Sequence, residues 1–265
     1  MTRSLATHVA EAAVSGHGKQ TMVFLHGVFM DHTMWGRVIG QVDGARTIAI
    51  DMPGHGDSPA APAGATLDDH IASVAASLDE LGVKGALVVG HSWGGMVAIR
   101  LAALRPDLVA GLVLTNTPLV ATTGSTRFGF RAQRAMLLAG FPPGIYGRMA
   151  ASSLMGAGYR AQHSEDIGAM ERRLSRTGRS VIRETLRSVL LEPGDGIGWL
   201  EQIAVPWIAV AGADDYVIAG GVSERVQAVG ELWIATGAHS TPLEAPDIVA
   251  EAIAEVQARM TADSG

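Results

Sequence analysis

The chain has 265 residues, a length that suits either one large α/β domain with an inserted subdomain or two domains. Apolar residues make up 48% of the sequence and charged residues 17%, so the chain can bury a large core and is not globally disordered. The net charge of −6 argues against a nucleic-acid partner, and the absence of cysteine excludes a disulfide framework and a thiol nucleophile.

No apolar run approaches the roughly 18 residues that a membrane span requires. The segment from Met1 to Lys19 contains His8 and Glu11 where a signal peptide needs its apolar stretch. We therefore expect a cytoplasmic protein with no membrane partner.

Strands and helices are predicted to alternate in the first part of the chain. Apolar and β-branched runs bounded by turn residues predict strands over residues 7–14, 21–26, 46–50, 86–89 and 108–114. Thr66 is a predicted helix N-cap, with Asp69 resembling a capping box, and this helix extends to about Leu81. A second helix, from Trp93 to Leu104, is apolar almost all round and is therefore predicted to be buried.

The strand signal stops near residue 120 and resumes only after residue 200. Residues 120–199 contain eleven arginines and six acidic residues, so this helix-compatible segment has a net charge of +5 and the remainder has −11. Such a difference marks a distinct unit. We predict a helical insert over 120–199 and a core formed by 1–119 and 200–265. The core is completed by predicted strands over 205–211 and 231–235 and a last helix from Pro246 to Met260.

The alternation of strands and helices is typical of a parallel sheet with helices on both faces. The insert interrupts this pattern and would lie beyond the carboxyl ends of the strands. Open α/β sheets bind their ligands at that edge, so we expect the functional site there.

The segment Gly90-His91-Ser92-Trp93-Gly94 matches the pattern G-x-S-x-G between a predicted buried strand and a predicted buried helix. In that context the glycines permit a sharp turn, which projects the Ser92 hydroxyl at the positive N-terminal end of the helix. The alternative is a glycine-rich turn in which Ser92 only caps the helix. We favour a nucleophilic serine, because the strand and the helix that it requires are both predicted.

Four segments, taken together and in this order, resemble the signatures of the α/β-hydrolase superfamily, in its serine esterase, lactonase and haloperoxidase-like branch. They are His26-Gly27-Val28-Phe29, the loop from Asp51 to Ser58, Gly90–Gly95, and Gly237-Ala238-His239. The resemblance implies an α/β-hydrolase fold with a mostly parallel, eight-stranded type of sheet, flanked by helices and covered by a helical cap at 120–199. It also implies serine-hydrolase chemistry.

A serine hydroxyl needs a base to become nucleophilic, and histidine is the natural base near neutral pH. His239 follows the last predicted strand, where the family places its base, and the chain order serine, acid, histidine agrees. For the acid, the family pattern Gly-x-x-Asp-x-Val/Ile selects Asp215 over its neighbour Asp214. Some relatives carry the acid after the strand that ends near Leu114, but that position offers the uncharged Asn116.

The oxyanion of an acyl-transfer intermediate needs preorganised donors. By resemblance these are the backbone N–H groups of Val28 and Trp93, with Phe29 as the second candidate for the first position and as a substrate-binding residue. His26 and His55 are predicted to be structural. The sequence has no P-loop, dinucleotide fingerprint or metal-ligand spacing, so we expect neither a cofactor nor a metal ion.

The favoured hypothesis is a serine hydrolase that cleaves a small carboxylic ester or lactone through an acyl-enzyme, with that small molecule as its partner. The cap arginines would suit an anionic substrate, which keeps open a C–C bond hydrolase of the meta-cleavage-product type. We expect most of them on a solvated helix face. A cofactor-free haloperoxidase or perhydrolase would use the same three residues, and a ligand-binding receptor would keep them idle. The sequence leaves the substrate and homo-oligomerisation open.

Overall fold

The computed structural model of the chain describes residues 8–13, 20–121, 124–192, 194–215 and 222–262. Within these residues, seven strands form one sheet in the order β1-β3-β2-β4-β5-β6-β7. The strands are β1 (His8–Ala13), β2 (Thr21–Leu25), β3 (Arg46–Asp51), β4 (Ala86–His91), β5 (Val109–Thr115), β6 (Trp207–Gly212) and β7 (Glu231–Ala235). β1 pairs antiparallel with β3, and the other six strands are parallel to one another.

Helices cover the sheet, which explains why its central strands are apolar without alternation. Every residue of β4 is buried, and so is nearly all of β5. The helices of the core are α1 (Gly36–Ile39, after a 3-10 turn at His32–Trp35), α2 (Leu67–Glu80), α3 (Trp93–Leu104), α10 (Val222–Gln227), α11 (Thr241–Glu244) and α12 (Pro246–Ala262). α3 packs on β2, β4 and β5, and α12 packs on β4, β5 and β6.

All regular elements in the described part of the insert are helices. Its helices are α4 (Gly124–Leu138), α5 (Pro143–Leu154), α6 (Ala157–Gln162), α7 (Ser164–Arg176), α8 (Arg179–Thr185), which continues as a π-helix over Leu186–Leu191, and α9 (Ile197–Leu200). α5 packs on α7, and α4 packs on α8 and the π-helical turn. Because proline has no N–H to donate, Pro143 is well placed in the first turn of α5.

The predicted elements agree with this architecture. The strand predicted over residues 7–14, the buried character of α3 and the capping box of Thr66 and Asp69 are confirmed. The short helical segments after β2 were not predicted, because four-residue helices carry too little periodicity to detect. The described sheet has seven strands where the resemblance implied an eight-stranded type; residues 1–7 and 14–19 lie outside the described ranges. None of the helices described is long and apolar enough to cross a membrane.

Candidate active site

Ser92 lies at the junction where β4 ends and α3 begins. Its backbone has φ 50° and ψ −111°, a conformation that a residue with a side chain rarely adopts. The strain is held by neighbours on both sides: the N–H of Ser92 donates to the carbonyl of Thr115 over 2.8 Å, and its carbonyl accepts from Met96 over 3.2 Å. Strained residues of this kind concentrate at functional sites. The turn therefore has the geometry that the G-x-S-x-G pattern predicted.

The glycines around Ser92 are required by close backbone packing. A Cβ added at Gly90 would lie 2.6 Å from the Cα of Gly95. A Cβ added at Gly94 would overlap the backbone carbonyl of Leu25 on the neighbouring strand. Both positions are too tight for any side chain, so the sequence pattern and the sharp turn have the same physical cause.

Three side chains that are distant in the sequence meet at the carboxyl edge of the sheet. The Oγ of Ser92 is 3.0 Å from Nε2 of His239, and Nδ1 of His239 is 2.8 Å from Oδ2 of Asp215. All three residues are at most 5% exposed. The neighbouring Asp214 is exposed to solvent, so it is Asp215 that reaches the imidazole. Val217, which fills the Val/Ile position of the predicted acid pattern, lies outside the described residues.

Asn116 supports the carboxylate from the end of β5. Its side-chain amide donates to Oδ2 of Asp215 over 2.7 Å and to the carbonyl of Ala238 over 3.1 Å. Its amide oxygen accepts from the Oγ1 of Thr241 over 2.5 Å. These bonds fix the amide orientation and hold Asp215 beside the residue that precedes His239. The sequence identified Asn116 only as a position without an acid; its supporting contacts span 99 to 125 residues and have no local signal.

Glu244 holds the loop that carries His239. Its carboxylate accepts hydrogen bonds from the backbone N–H groups of Ala238 over 3.1 Å and Ser240 over 3.2 Å, the residues on either side of His239. The same carboxylate accepts from the N–H of Gly156 in the insert, over 2.9 Å. Glu244 thus ties the imidazole loop to the helices that cover it. Sequence reasoning missed this residue, because a glutamate in a short helix carries no distinguishing pattern.

Val28 and Phe29 lie beside Ser92, where the resemblance placed them. Both are buried and line the same cavity as Ser92 and His239. Phe29 has a positive φ of 66°, and its ring meets that of Tyr146 edge-on at 5.6 Å.

Arg173, from α7 of the insert, contacts this loop. It donates to the carbonyl of Phe29 over 3.3 Å and to Asp31 over 2.5 Å. Burial alone would raise the pKa of Asp31, but the charge of Arg173 and the hydrogen bond from Thr33 outweigh it and lower that pKa. An insert residue therefore fixes the loop that carries the proposed oxyanion donor, a contact that sequence reasoning missed.

A cavity of about 90 Å³ opens at Ser92 beneath the insert. Its wall is mostly apolar and is formed by Val28, Phe29, Ser92, Phe130, Gln133, Tyr146, Met149, Ala150, Ser153, Leu154, Leu190 and His239. α4 and α5 supply seven of these twelve residues, and the Tyr146 hydroxyl donates to Oε1 of Gln133 over 2.8 Å between the two helices. Of the described residues on this wall, none is an arginine, a lysine or a carboxylate.

The insert arginines lie away from this cavity and many pair with acids at the surface. Arg148 makes a bidentate pair with Glu171, with contacts of 2.8 and 3.0 Å. Arg187 contacts Glu184 and Glu192 at 2.8 and 2.6 Å. These contacts agree with a largely solvated face and give no support to an anionic substrate in the cavity.

Three buried histidines surround Trp93, the residue after the nucleophile. The ring of His70 meets the indole edge-on at 4.9 Å, His55 lies 5.1 Å from the indole, and His26 lies 5.4 Å from His55. Burial lowers the pKa of His26 to about 4 and that of His70 to about 4. Burial, and secondly the proximity of His26, lowers the pKa of His55 to about 3. All three are therefore neutral when the protein is folded near neutral pH.

The hydrogen bonds of His26 require the neutral ring. Nε2 accepts from the backbone N–H of Met52 over 2.8 Å, and Nδ1 lies 2.7 Å from the carbonyl of Gly27, to which it donates. A proton on Nε2 would face the N–H of Met52 and break that bond. His26 thus joins two signature segments of the sequence, as its predicted structural role implies.

Among the described residues, one group of side chains could approach a metal ion. His163, Glu165 and Asp166 place their ligand atoms within 4.8 Å of one another on the insert surface. All three already have partners: Asp166 contacts the Tyr159 hydroxyl and Arg37, and His163 and Glu165 lie 3.5 Å from each other. This group is an ordinary surface cluster, and nothing links it to the cavity at Ser92.

Comparison with known proteins agrees with this fold. A family model described as the alpha/beta hydrolase fold matches residues 20–228. Over 249 residues the chain is 28% identical to a putative non-heme haloperoxidase of Mycobacterium phage D29, covering 88% of this chain and 86% of that protein. Over 119 residues it is 43% identical to the lipase LipV of Mycobacterium tuberculosis, covering 44% of each chain, so the match spans less than half the length of that lipase.

Solved structures show the same fold. A thermophilic esterase from Thermogutta terrifontis superposes with a TM-score of 0.83 at 20% identity, covering 96% of this chain and 93% of that chain. An enol-lactonase from Burkholderia xenovorans LB400 superposes with a TM-score of 0.84 at 18% identity, covering 95% and 96%. At such identities the likeness concerns the fold. It confirms the predicted fold class, and the family model together with the haloperoxidase match confirms the predicted resemblance.

Proposed function

The chain belongs to the α/β-hydrolase family, and on that premise we propose that it is a serine hydrolase that cleaves small, uncharged carboxylic esters or lactones. The observation that carries the proposal is the continuous line of contacts from Ser92 Oγ through His239 to Asp215, at 3.0 and 2.8 Å. A hydroxyl becomes a nucleophile when an oriented base can take its proton, and this line supplies both the base and its orientation.

In the proposed mechanism, Ser92 Oγ attacks the substrate carbonyl while Nε2 of His239 takes the hydroxyl proton. Asp215 accepts the Nδ1–H bond and stabilises the imidazolium that forms. The oxyanion is held by the backbone N–H groups of Val28 and Trp93, the latter at the N-terminus of α3. His239 returns its proton to the departing alkoxide, which leaves an acyl-enzyme. Water deprotonated by His239 then releases the acid and restores Ser92.

The cavity supports the choice of an uncharged acyl group. Placing a carboxylate on an apolar wall without an arginine or lysine would leave a buried charge without a partner, which costs several kcal/mol (~3–5). The small volume of about 90 Å³ favours short acyl chains. A C–C bond hydrolase acting on an acidic diketone, which the arginine count had kept open, therefore lacks a supporting contact in this cavity.

The proposal is tested by covalent labelling and by a substrate screen. The wild-type protein should react with a fluorophosphonate probe and hydrolyse p-nitrophenyl esters and small lactones, with a preference for short acyl chains. Ser92→Ala should lose both properties by at least about 10³-fold. Ser152→Ala, which removes an exposed serine of α5, is the matched control and should behave as wild type. Full labelling or turnover in Ser92→Ala would overturn the proposal.

A second candidate reaction is perhydrolysis at the same serine, and the similarity to the phage haloperoxidase over 88% of the chain favours including it. Hydrogen peroxide would replace water at the acyl-enzyme, so that its oxygen bonds to the acyl carbon, Ser92 leaves, and a peracid forms. Peracid production from acetate and peroxide, followed by bromination of monochlorodimedone, measures this activity. A rate no higher than that of Ser92→Ala would exclude it.

A further inference from the structure

Two helices that line the catalytic cavity also present unusual exposed apolar side chains. Phe128 and Leu138 on α4 are 73% and 63% exposed, and Ile145 and Met149 on α5 are 53% and 46% exposed. These four make up most of the large apolar residues that the described part of the chain exposes; the others are Leu104 and Ile234. Met149 also lines the cavity at Ser92, so the apolar surface continues into the site.

The same stretch is strongly basic. Residues 124–154 contain four arginines and no acidic residue. The facing helices supply two carboxylates: Glu171 pairs with Arg148, and Glu184 lies 3.8 Å from Arg134. Arg127 donates to the backbone carbonyl of Leu191, which does not neutralise its charge, and Arg131 is exposed. The surface therefore combines protruding apolar side chains with an excess of positive charge.

From this combination we propose that α4 and α5 form a docking face for an anionic lipid surface, which presents the mouth of the catalytic cavity to esters carried there. Exposed apolar residues that enter the headgroup region, together with arginines that attract anionic lipids, are what an interfacial helix needs. The proposal rests on the proposed function and extends it to the source of the substrate. The earlier expectation of no membrane partner considered only membrane-spanning segments.

Charge complementarity favours a lipid surface over a second copy of the chain. A two-fold dimer through this face would bring the same arginines of both copies against one another, because the contact of such a dimer repeats the same patch. An anionic surface instead attracts the excess positive charge that Arg127 and Arg131 give this face. The acidic remainder of the molecule, with a net charge of −11 outside residues 120–199, would be repelled and so would orient the cavity towards the lipid.

The test measures binding separately from catalysis by using the Ser92→Ala protein in vesicle flotation. It should bind vesicles containing about 30% phosphatidylglycerol at least tenfold more tightly than pure phosphatidylcholine vesicles, and less tightly at high salt. Adding Phe128→Ser, Leu138→Ser and Ile145→Ser should weaken binding at least tenfold. Adding Leu104→Ser and Ile234→Ser, which remove equally exposed apolar residues elsewhere, is the matched control and should have no effect.

Either of two results would overturn the docking proposal and leave the proposed function intact. The protein does not bind anionic vesicles, or the triple variant and the control variant bind them equally well. A dimer in sedimentation velocity that the triple substitution dissociates, without vesicle binding, would assign the face to self-association. Conversely, if the wild-type protein binds vesicles but Ser92 is not labelled, the serine-hydrolase proposal fails alone. In the active protein, the triple variant should hydrolyse a water-soluble short ester as the wild type does.

Discussion

The three buried histidines around Trp93 predict a steep loss of stability in mild acid. Each imidazole titrates near 6.5 in the unfolded chain and at about 4 (His26, His70) or about 3 (His55) in the folded protein. Between these values the unfolded chain binds more protons than the folded one, so stability rises with pH across this window. The stability is therefore complete above about pH 7 and is lost progressively as the pH falls from 6.5 towards 4.

The magnitude follows from the same values. At about pH 5, each of these imidazoles favours the unfolded chain by about 2 kcal/mol relative to pH 7.5, so the three together contribute about 6 kcal/mol. A domain is typically stable by ~5–15 kcal/mol, and such a loss would bring the protein close to its unfolding midpoint. Carboxylates such as Asp31, whose pKa is lowered, titrate at more acidic pH and contribute little in this range.

The assay is urea unfolding followed by tryptophan fluorescence at several values between pH 7.5 and 5. These three histidines together should lower the free energy of unfolding by about 3–4 kcal/mol per pH unit below pH 6, and the buried His91, whose pKa is likewise lowered by burial, adds to this fall. His70→Phe, which keeps an aromatic ring against Trp93 but removes one titrating group, should lower the measured slope by about one quarter. His163→Gln, which removes a histidine of the insert that is not one of the three around Trp93, is the control. A flat profile, or an unchanged slope in His70→Phe, would refute the argument.

Three substitutions test the supports of the site. Glu244→Gln should lower kcat about tenfold with little change in the free energy of unfolding, because it weakens the bonds that position the His239 loop; steady-state kinetics and urea unfolding check both. Asn116→Ala should also lower kcat about tenfold, measured with the same ester, since Asp215 loses a donor. Gly94→Ala should destabilise the protein by about 3 kcal/mol or more, measured by thermal unfolding, because its Cβ meets the Leu25 carbonyl.

The site could be predicted from the sequence where its parts are local. The turn that carries Ser92 is encoded by the five consecutive residues of the G-x-S-x-G pattern, because a strand, a sharp turn and a helix must follow one another there. Asp215 and His239 were predicted from the family resemblance together with their positions after predicted strands, since parallel strands bring their carboxyl ends to one edge. The geometry adds a physical reason for preferring Asp215, which is buried against the imidazole, over the exposed Asp214.

The supporting residues could not be predicted, because their partners are distant in the chain. Glu244 meets Gly156 across 88 positions, and Arg173 meets Phe29 across 144. Neither residue belongs to a periodic pattern, and each is ordinary in its own helix. Their roles depend on how the insert lies on the core, which is a property of packing between separate segments. The division of the chain at residues 120 and 199 remains a prediction.

The arginines of the insert also show what the sequence alone could not predict. Their number was evident from the sequence and allowed an anionic substrate, but a count does not say which way a side chain points. In the structure Arg148 and Arg187 pair with surface acids, and the cavity wall is apolar. The positive charge therefore lies outside the cavity, where it can act on a surface or a partner rather than on the bound acyl group.

Acid inactivation should accordingly follow the loss of the folded state. Unfolding through His26, His55 and His70 takes up two to three protons, so the loss is steep in pH. His26 joins Gly27 to Met52, so this process also dismantles the loop that carries Val28. Activity and fluorescence measured on the same samples should therefore fall together and steeply. A decline in rate that precedes any change in fluorescence would show that unfolding does not set the acid limit.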